Sequence, residues 1–325
     1  MMHTAKDSIS VVIPALNEVA SLPRLFASLE QQTLRPREII VVDAGSSDGT
    51  QALVRAYAEK SEIAVRLIEA QDSRPGKSRN IGTRAAAHEI VACSDAGVRL
   101  DVDWLRHLTQ SLRNGSHEVA VGSFAPDGTN LFEKLVGLLL IRPPKKVNVL
   151  YAGGVSIAFT RSALERVGGY PEDVYPCEDA LFLRKVVEAG IEVERAHEAR
   201  SLWRPRSSVA ALWRQYRSYA WGDAQIGLGA RRHALRAAFW IACLAASFGI
   251  AGSIGRILGL AALAAYLLRP TIAAFRATAD VRSFFLGPLI LATKDWAQLF
   301  GYLEGRVHRA RGGGRDFTKR AVSRT

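Results

Sequence analysis

Several short stretches of this chain place acids or cations at the ends of apolar runs, where a sheet would gather them. Asp95 ends EIVACSD, a strand-like run that delivers one carboxylate to its tip. Two positions later, where a second acid could complete a clamp for a divalent cation, stands Gly97. Asp101 and Asp103 follow, but they directly precede WLRHLTQSL, whose Trp104, Leu105, Leu108 and Leu112 have helical spacing. That pair reads as N-terminal helix acids, one of them the cap, and not as metal ligands. Asp95 is left as the metal-ligating candidate. A hard cation can manage with one or two carboxylates plus phosphate oxygens and water, so Mg²⁺ or Mn²⁺ stays compatible with Gly97.

Other apolar runs end in the same way. PALNE carries Pro14, Asn17 and Glu18, and VVDAGSSDGT closes a strand with Asp43, an acceptor suited to ribose hydroxyls or a base edge. RPGKSRNIG sets Lys77 and Arg79 at a helix N-terminus, where cationic side chains beside free amides suit a diphosphate. Each feature has a plainer alternative. Ser47 or Asp48 could cap the helix that follows, Asn17 the first helix, and the two cations could be solvated helix charge. Further on, Glu178 and Asp179 open the helical pattern EDALFLRKVVEAG, a place where the helix macrodipole alone favours acids. Gly153 and Gly154 of YAGGVSIAF would let a ligand approach the backbone closely, or make a simple turn before a strand. No GxxxxGK[ST] or GxGxxG occurs, which argues against an NTPase or a dinucleotide enzyme.

The elements that must position these residues alternate. SISVVIPA, REIIVVD, IAVRLIEA and EIVACSD read as strands, separated by amphipathic helices such as EVASLPRLFASLEQQ with Leu22, Leu25, Phe26 and Leu29 on one face. Near-continuous β-branched strands alternating with helices predict an α/β fold, a mostly parallel sheet flanked by helices on both faces. Ligands of such sheets bind beyond the carboxyl ends of the strands. The pattern predicts one domain over residues 1–225, and its halves at about 8–125 and about 126–225 are a nucleotide half and an acceptor half by the resemblance given below.

Residues 226–305 read differently. The stretch 237–255 carries no charge, ILGLAALAAYLL follows Arg256 and closes at Arg269-Pro270, and SFFLGPLILATKDWAQLFGYL holds Lys294 and Asp295 mid-run. About 20 apolar residues span a bilayer, so roughly two spans and an interfacial helix are expected, then a basic tail over 306–325. LFEKLVGLLLI at 131–141 reads as another interfacial helix. The net charge is +12, and its excess brackets the apolar region: eight arginines lie in 200–236 against Asp223 alone, and six more with Lys319 lie in the tail against Asp316. Cationic flanks on both sides predict membrane lipids as partners rather than nucleic acid, with both flanks in the cytosol. MMHTAKDSIS carries no basic–apolar leader, and three cysteines without CxxC spacing fit a reducing compartment.

VVIPALNE, IIVVDAGSSDGT, GKSRNIGTRAA, SDAG followed by WL, GGVSIAFTRSALERVGGYPE and CEDALFLRKVVEAG resemble, in order and spacing, the inverting glycosyltransferases of family 2. The resemblance covers about residues 8–225 and implies the GT-A fold and a UDP- or GDP-linked sugar donor. It implies that Glu18 and Asp43 contact the nucleoside, that Lys77 and Arg79 lie near the base or diphosphate, and that Asp95 meets ribose or the metal. It makes Asp179 the catalytic base and lets Glu178 orient an acceptor hydroxyl. Family members usually carry Asp-x-Asp where this chain has Asp95-Ala96-Gly97, so the metal ligand set is reduced. Membrane-bound processive relatives carry Gln-x-x-Arg-Trp, whereas here Gln215 precedes Tyr-Arg-Ser-Tyr, which favours one sugar per encounter. The expected function is transfer of a sugar to a lipid-linked or membrane-proximal acceptor at the cytoplasmic face, for cell-envelope polysaccharide. A polyprenyl-phosphate sugar synthase or a non-catalytic sugar-nucleotide binder are the alternatives.

Overall fold

The computed structural model describes residues 8–141, 149–151, 154–248 and 252–311. The chain divides into two compact units, Met1–Ala125 with Arg142–Arg204, and Pro126–Ile141 with Pro205–Thr325. The division thus assigns 126–141 and 205–225, read from sequence as part of the nucleotide-binding domain, to the second unit.

The first unit is built on an eight-stranded sheet. Its strands are β1 (Ile9–Ala15), β2 (Glu38–Asp43), β3 (Ala64–Glu69), β4 (Ile90–Ser94), β5 (Val98–Leu100), β6 (Val119–Pro126), β7 (Ser156–Thr160) and β8 (Val193–Trp203). Their order is β3-β2-β1-β4-β7-β6-β8-β5. The run β3-β2-β1-β4 is parallel. Beyond it β7 pairs antiparallel with β4 and with β6, so the sheet is mixed and its parallel part is the first half. Alternate residues of one strand enter different cores: Val11 and Ile13 join Ile39, Val41 and Trp104, whereas Val12 joins Ile40, Val42, Phe159 and Phe182. Both faces are covered, which is why VVI and IIVV read as continuous apolar runs. Each such fully buried side chain contributes about 1.5–3 kcal/mol.

Helices α1 (Leu22–Glu30), α2 (Thr50–Ala58), α3 (Pro75–Ala85) and α4 (Trp104–Arg113) fill the connections. α1 buries Leu22, Leu25, Phe26 and Leu29, the face read from their spacing. α3 lies close on the sheet because Gly82 has no side chain: a Cβ there would strike Val12. Register then sets the site. Ala15 is level with Asp43, and Val12 with Cys93, so the loops after β1, β2 and β4 open at one edge.

The second unit is helical: α5 (Leu131–Leu140), α8 (Val209–Gln225), α9 (Ala230–Ser247), α10 (Gly252–Thr278) and α11 (Ser283–Ala310), with α6 (Arg161–Arg166) and α7 (Glu178–Glu188) belonging to the first. α5 does not lie free on a surface. Leu135 and Val136 are buried with Leu212, Ala274 and Ile290. Its start is capped: Asn130 accepts from the Glu133 amide at 3.0 Å, and the Glu133 carboxylate accepts from the Thr129 amide, just before the cap, at 2.8 Å.

The apolar stretches are cut differently from the sequence expectation. Among the described residues one helix, α10, is long and apolar enough to cross a membrane, where two spans are expected from sequence. The uncharged stretch 237–255 is divided: α9 ends at Ser247 and α10 begins at Gly252, whose φ is +72. Arg269-Pro270, expected to end a segment, lies inside α10. A proline removes a single helical hydrogen bond, and next to it the Thr271 hydroxyl donates to the Leu267 carbonyl at 2.7 Å while Gly287 of α11 packs against Thr271. α10 leaves Ile254, Ile257, Leu258 and Leu268 exposed, and α9 leaves Ile241 and Phe248 exposed.

Candidate active site

The loops after β1 and β2 are stitched to each other. The Asn17 amide donates to Ser46 Oγ at 2.8 Å, the Ser47 amide to Asn17 Oδ1 at 2.9 Å, and the Glu18 amide to Thr50 Oγ1 at 2.8 Å. Asn17, with φ 56, therefore holds the second loop and does not cap α1. Asp48 accepts from the Thr50 amide at 3.0 Å, so it does bind the start of α2. Pro14 and Glu18 are partly exposed at this edge, and the Glu18 carboxylate accepts from Ser21.

Asp43 is fully buried, and its carboxylate accepts from the amides of Gly45 and Ser46, the Ser46 hydroxyl and Gln51 Nε2 at 2.7 Å. Burial opposes ionisation, yet the bonds from Ser46 and Gln51 outweigh it and hold the carboxyl below its usual range. In this conformation Asp43 shapes the loop, with Oδ2 taking the Gly45, Ser46 and Gln51 bonds and Oδ1 the Ser46 hydroxyl.

Asp95 follows β4 with its carboxylate 43% exposed. Arg79 of α3 is 3% exposed and reaches both it and α7: Nη2 lies 2.9 Å from Asp95 Oδ1 and Nη1 lies 2.9 Å from Glu178 Oε1. Nη2 also donates to the Gly154 carbonyl at 3.0 Å. The guanidinium carbon sits 5.5 Å from the centre of the Tyr170 ring. Arg79 is thus enclosed, and of the two cations expected to meet a diphosphate, Lys77 is the exposed one. Glu178, expected to orient an acceptor hydroxyl, is only 6% exposed and faces Arg79 instead.

Asp179 lies beside this cluster in the first turn of α7, half-buried, after Cys177 with its φ of 82. Burial and then the Glu178 charge push its carboxyl up to about 6, with Arg79 and the Ala180 amide pulling the other way. Burial likewise pushes Asp95 upward; Arg79 opposes this, and Glu178 and Glu18 reinforce it. A Cβ on Gly154 would lie 2.6 Å from Asp179 Oδ2, so the bare glycine makes room for that carboxylate. Gly153 lies outside the described residues. A half-buried carboxylate pushed up to about 6 is still ionised at neutral pH and can accept a proton.

Asp101 and Asp103 stay out of the site. Asp103 occupies the N-cap of α4, but its carboxylate accepts from Thr33 Oγ1 at 2.6 Å and Arg106 Nε at 3.1 Å instead of a helix amide. Among the described residues no group of three or more His, Cys, Asp or Glu is arranged to hold a metal. The residues present fit a cation that takes the partly exposed Asp95 from the protein and the rest of its shell from phosphates and water. A Cβ on Gly97 would meet nothing within 4 Å, so the space of the missing acid is open.

Sequence reasoning did not find the roles of Asn80 and Tyr170. Asn80 Nδ2 donates to the Tyr170 carbonyl and to Glu172 Oε1, both at 2.9 Å, and its Oδ1 accepts from the Tyr170 amide, which pins the loop leading to α7. An amide side chain directly after Arg79 in SRN was the available signal.

Several known proteins are similar to this chain. The chain is 23% identical to the glycosyltransferase AglE of Haloferax volcanii over 66% of its length and 73% of the relative's. It is 23% identical to the O-antigen chain rhamnosyltransferase RfbN of Salmonella typhimurium over 59% of its length, spanning 64% of that protein. The mannosyltransferase PcManGT of Pyrobaculum calidifontis, solved with GDP-Man and Mn²⁺, has the same fold, with a TM-score of 0.56 and 24% identity over 93% of this chain and 86% of that one. The family model described as glycosyl transferase family 2 matches residues 10–189, more than half of the chain. With its GT-A sheet and the edge described above, the chain belongs to glycosyltransferase family 2.

Proposed function

We propose that this enzyme transfers a sugar, with inversion, from a UDP- or GDP-linked donor to a lipid-linked or glycan acceptor at a membrane. The observation that carries the reading is Asp179, a half-buried carboxylate against Gly154 and beside the enclosed Arg79, pushed up to about 6. Pro14 and Glu18 border the nucleoside, on loops whose shape Asp43 maintains. Lys77 faces the diphosphate as the exposed cation at the start of α3. The acceptor hydroxyl gives its proton to Asp179 as its oxygen attacks the anomeric carbon from the side opposite the diphosphate. The carbon–oxygen bond to the nucleoside diphosphate breaks, and the diphosphate leaves with that electron pair. Asp95 is the residue that would hold Mg²⁺ or Mn²⁺, which supplies charge stabilisation to the leaving group when bound.

Membrane attachment rests on α10 and on the exposed Ile241, Phe248, Ile254 and Ile257. RfbN, named for the O-antigen chain, supports an acceptor in envelope polysaccharide. Gln215 is followed by Tyr-Arg-Ser-Tyr in place of the Gln-x-x-Arg-Trp of processive relatives, which supports transfer of one sugar per encounter. The test is a panel of UDP- and GDP-sugars incubated with the membrane-bound protein and the Asp179→Asn variant. Transfer is expected from the wild type, reduced by EDTA. The variant should retain donor binding and lose transfer. Folded wild type that neither transfers nor hydrolyses any donor would refute the reading.

A further inference from the structure

Taking Asp179 as the base, as proposed above, we infer that Arg79 is a positioning residue: a buried strut that holds Asp95 and the base-bearing helix α7 in one geometry. Its guanidinium joins segments far apart in the chain, Asp95 at a separation of 16 residues, Gly154 at 75 and Glu178 at 99. These are the segments that surround the reaction. Asp95 belongs to the donor side, Glu178 is the peptide neighbour of Asp179, and Gly154 faces Asp179 Oδ2 closely enough to exclude a Cβ.

The enclosure of Arg79 separates this role from donor binding. The side chain is 3% exposed and both terminal nitrogens are engaged by protein acceptors. One face of the guanidinium lies against Tyr170, and Tyr170 in turn stacks on Phe182 of α7 with ring centres 4.0 Å apart. Gly76, three residues before Arg79, lets α3 approach α7, because a Cβ there would lie 2.6 Å from the Pro171 carbonyl and 3.2 Å from Glu178 Cγ. A planar fork can serve acceptors on several sides at fixed angles, whereas an ammonium is a single point charge on a flexible stem. Lysine at this position would keep the charge and lose the geometry. A shift of about 1 Å between base and donor is worth about 100-fold in rate.

The experiment compares wild type, Arg79→Lys and Glu178→Gln for cleavage of UDP-glucose, UDP-N-acetylglucosamine and GDP-mannose, with kcat and KM separated and thermal melts recorded. Arg79→Lys keeps a cation between Asp95 and Glu178, so loss of fold is not the expected result. The expected outcome is a kcat about 100-fold lower with KM for the donor little changed, and a smaller fall of the same kind in Glu178→Gln. A raised KM with unchanged kcat would make Arg79 a donor ligand and overturn the inference. So would wild-type kinetics in Arg79→Lys, or a loss of rate matched by the loss of folded protein. A wild type that cleaves none of the three donors would remove the functional reading and the inference with it. Cleavage by the wild type alongside an unaffected Arg79→Lys would remove only the inference.

Discussion

Each unit of this protein buries a group of charges, and the two groups are balanced in opposite ways. In the helical unit, fully buried Asp295 receives Arg236 Nε at 2.9 Å, Lys294 Nζ at 2.8 Å, Trp240 Nε1 at 3.1 Å and the Tyr266 hydroxyl. Asp223 there receives Arg232 and His233 Nε2, the latter at 3.0 Å. Donors saturate both acids. In the sheet unit one guanidinium serves both Asp95 and Glu178, and Asp179 beside them has, among the described residues, a bond only from the Ala180 amide. A saturated carboxylate is held in place and chemically silent. An under-neutralised one gains basicity and keeps an oxygen for a substrate. By this measure Asp43, with its full set of donors, groups with Asp295 and not with Asp179.

Substitutions can break that contrast. The largest effect on chemistry should come from Asp179→Asn, with turnover about 10²–10⁴-fold lower and donor binding by calorimetry retained. Asp295→Ala should act on the other side. Leaving Arg236 and Lys294 without their acid should cost about 3–5 kcal/mol in denaturant unfolding, with donor cleavage per folded molecule unchanged. Gly154→Ala places a methyl against Asp179 Oδ2 and should lower kcat about 100-fold without a comparable change in donor KM. Gly97→Asp should have the smallest effect. Its Cβ enters open space, so melting should be unaffected, and a second acid should lower the Mg²⁺ or Mn²⁺ concentration needed for half-maximal activity by about tenfold or less.

The parallel half of the fold was legible because its signals are local. Val11–Val12–Ile13 and Ile39–Ile40–Val41 announce strands covered on both faces, and Leu22, Leu25, Phe26 and Leu29 announce the inner face of α1. The acids and cations at the strand tips could be named for the same reason, but their division of labour could not. Arg79 looks like a phosphate ligand until Glu178, 99 residues away, is brought to it. Asp43 looks like a free acceptor until Gln51 and the Gly45 and Ser46 amides close on it. The apolar pattern of 237–255 contains no charge to mark the division between α9 and α10.

The pH dependence of kcat/KM reports the ionisation of the base itself. Asp179 is pushed up to about 6 and must be ionised to accept the acceptor's proton. The wild-type profile should therefore level off near neutrality and fall about tenfold for each pH unit below that value. A profile flat through this region, or the same acid limb surviving in the residual activity of Asp179→Asn, would contradict the account.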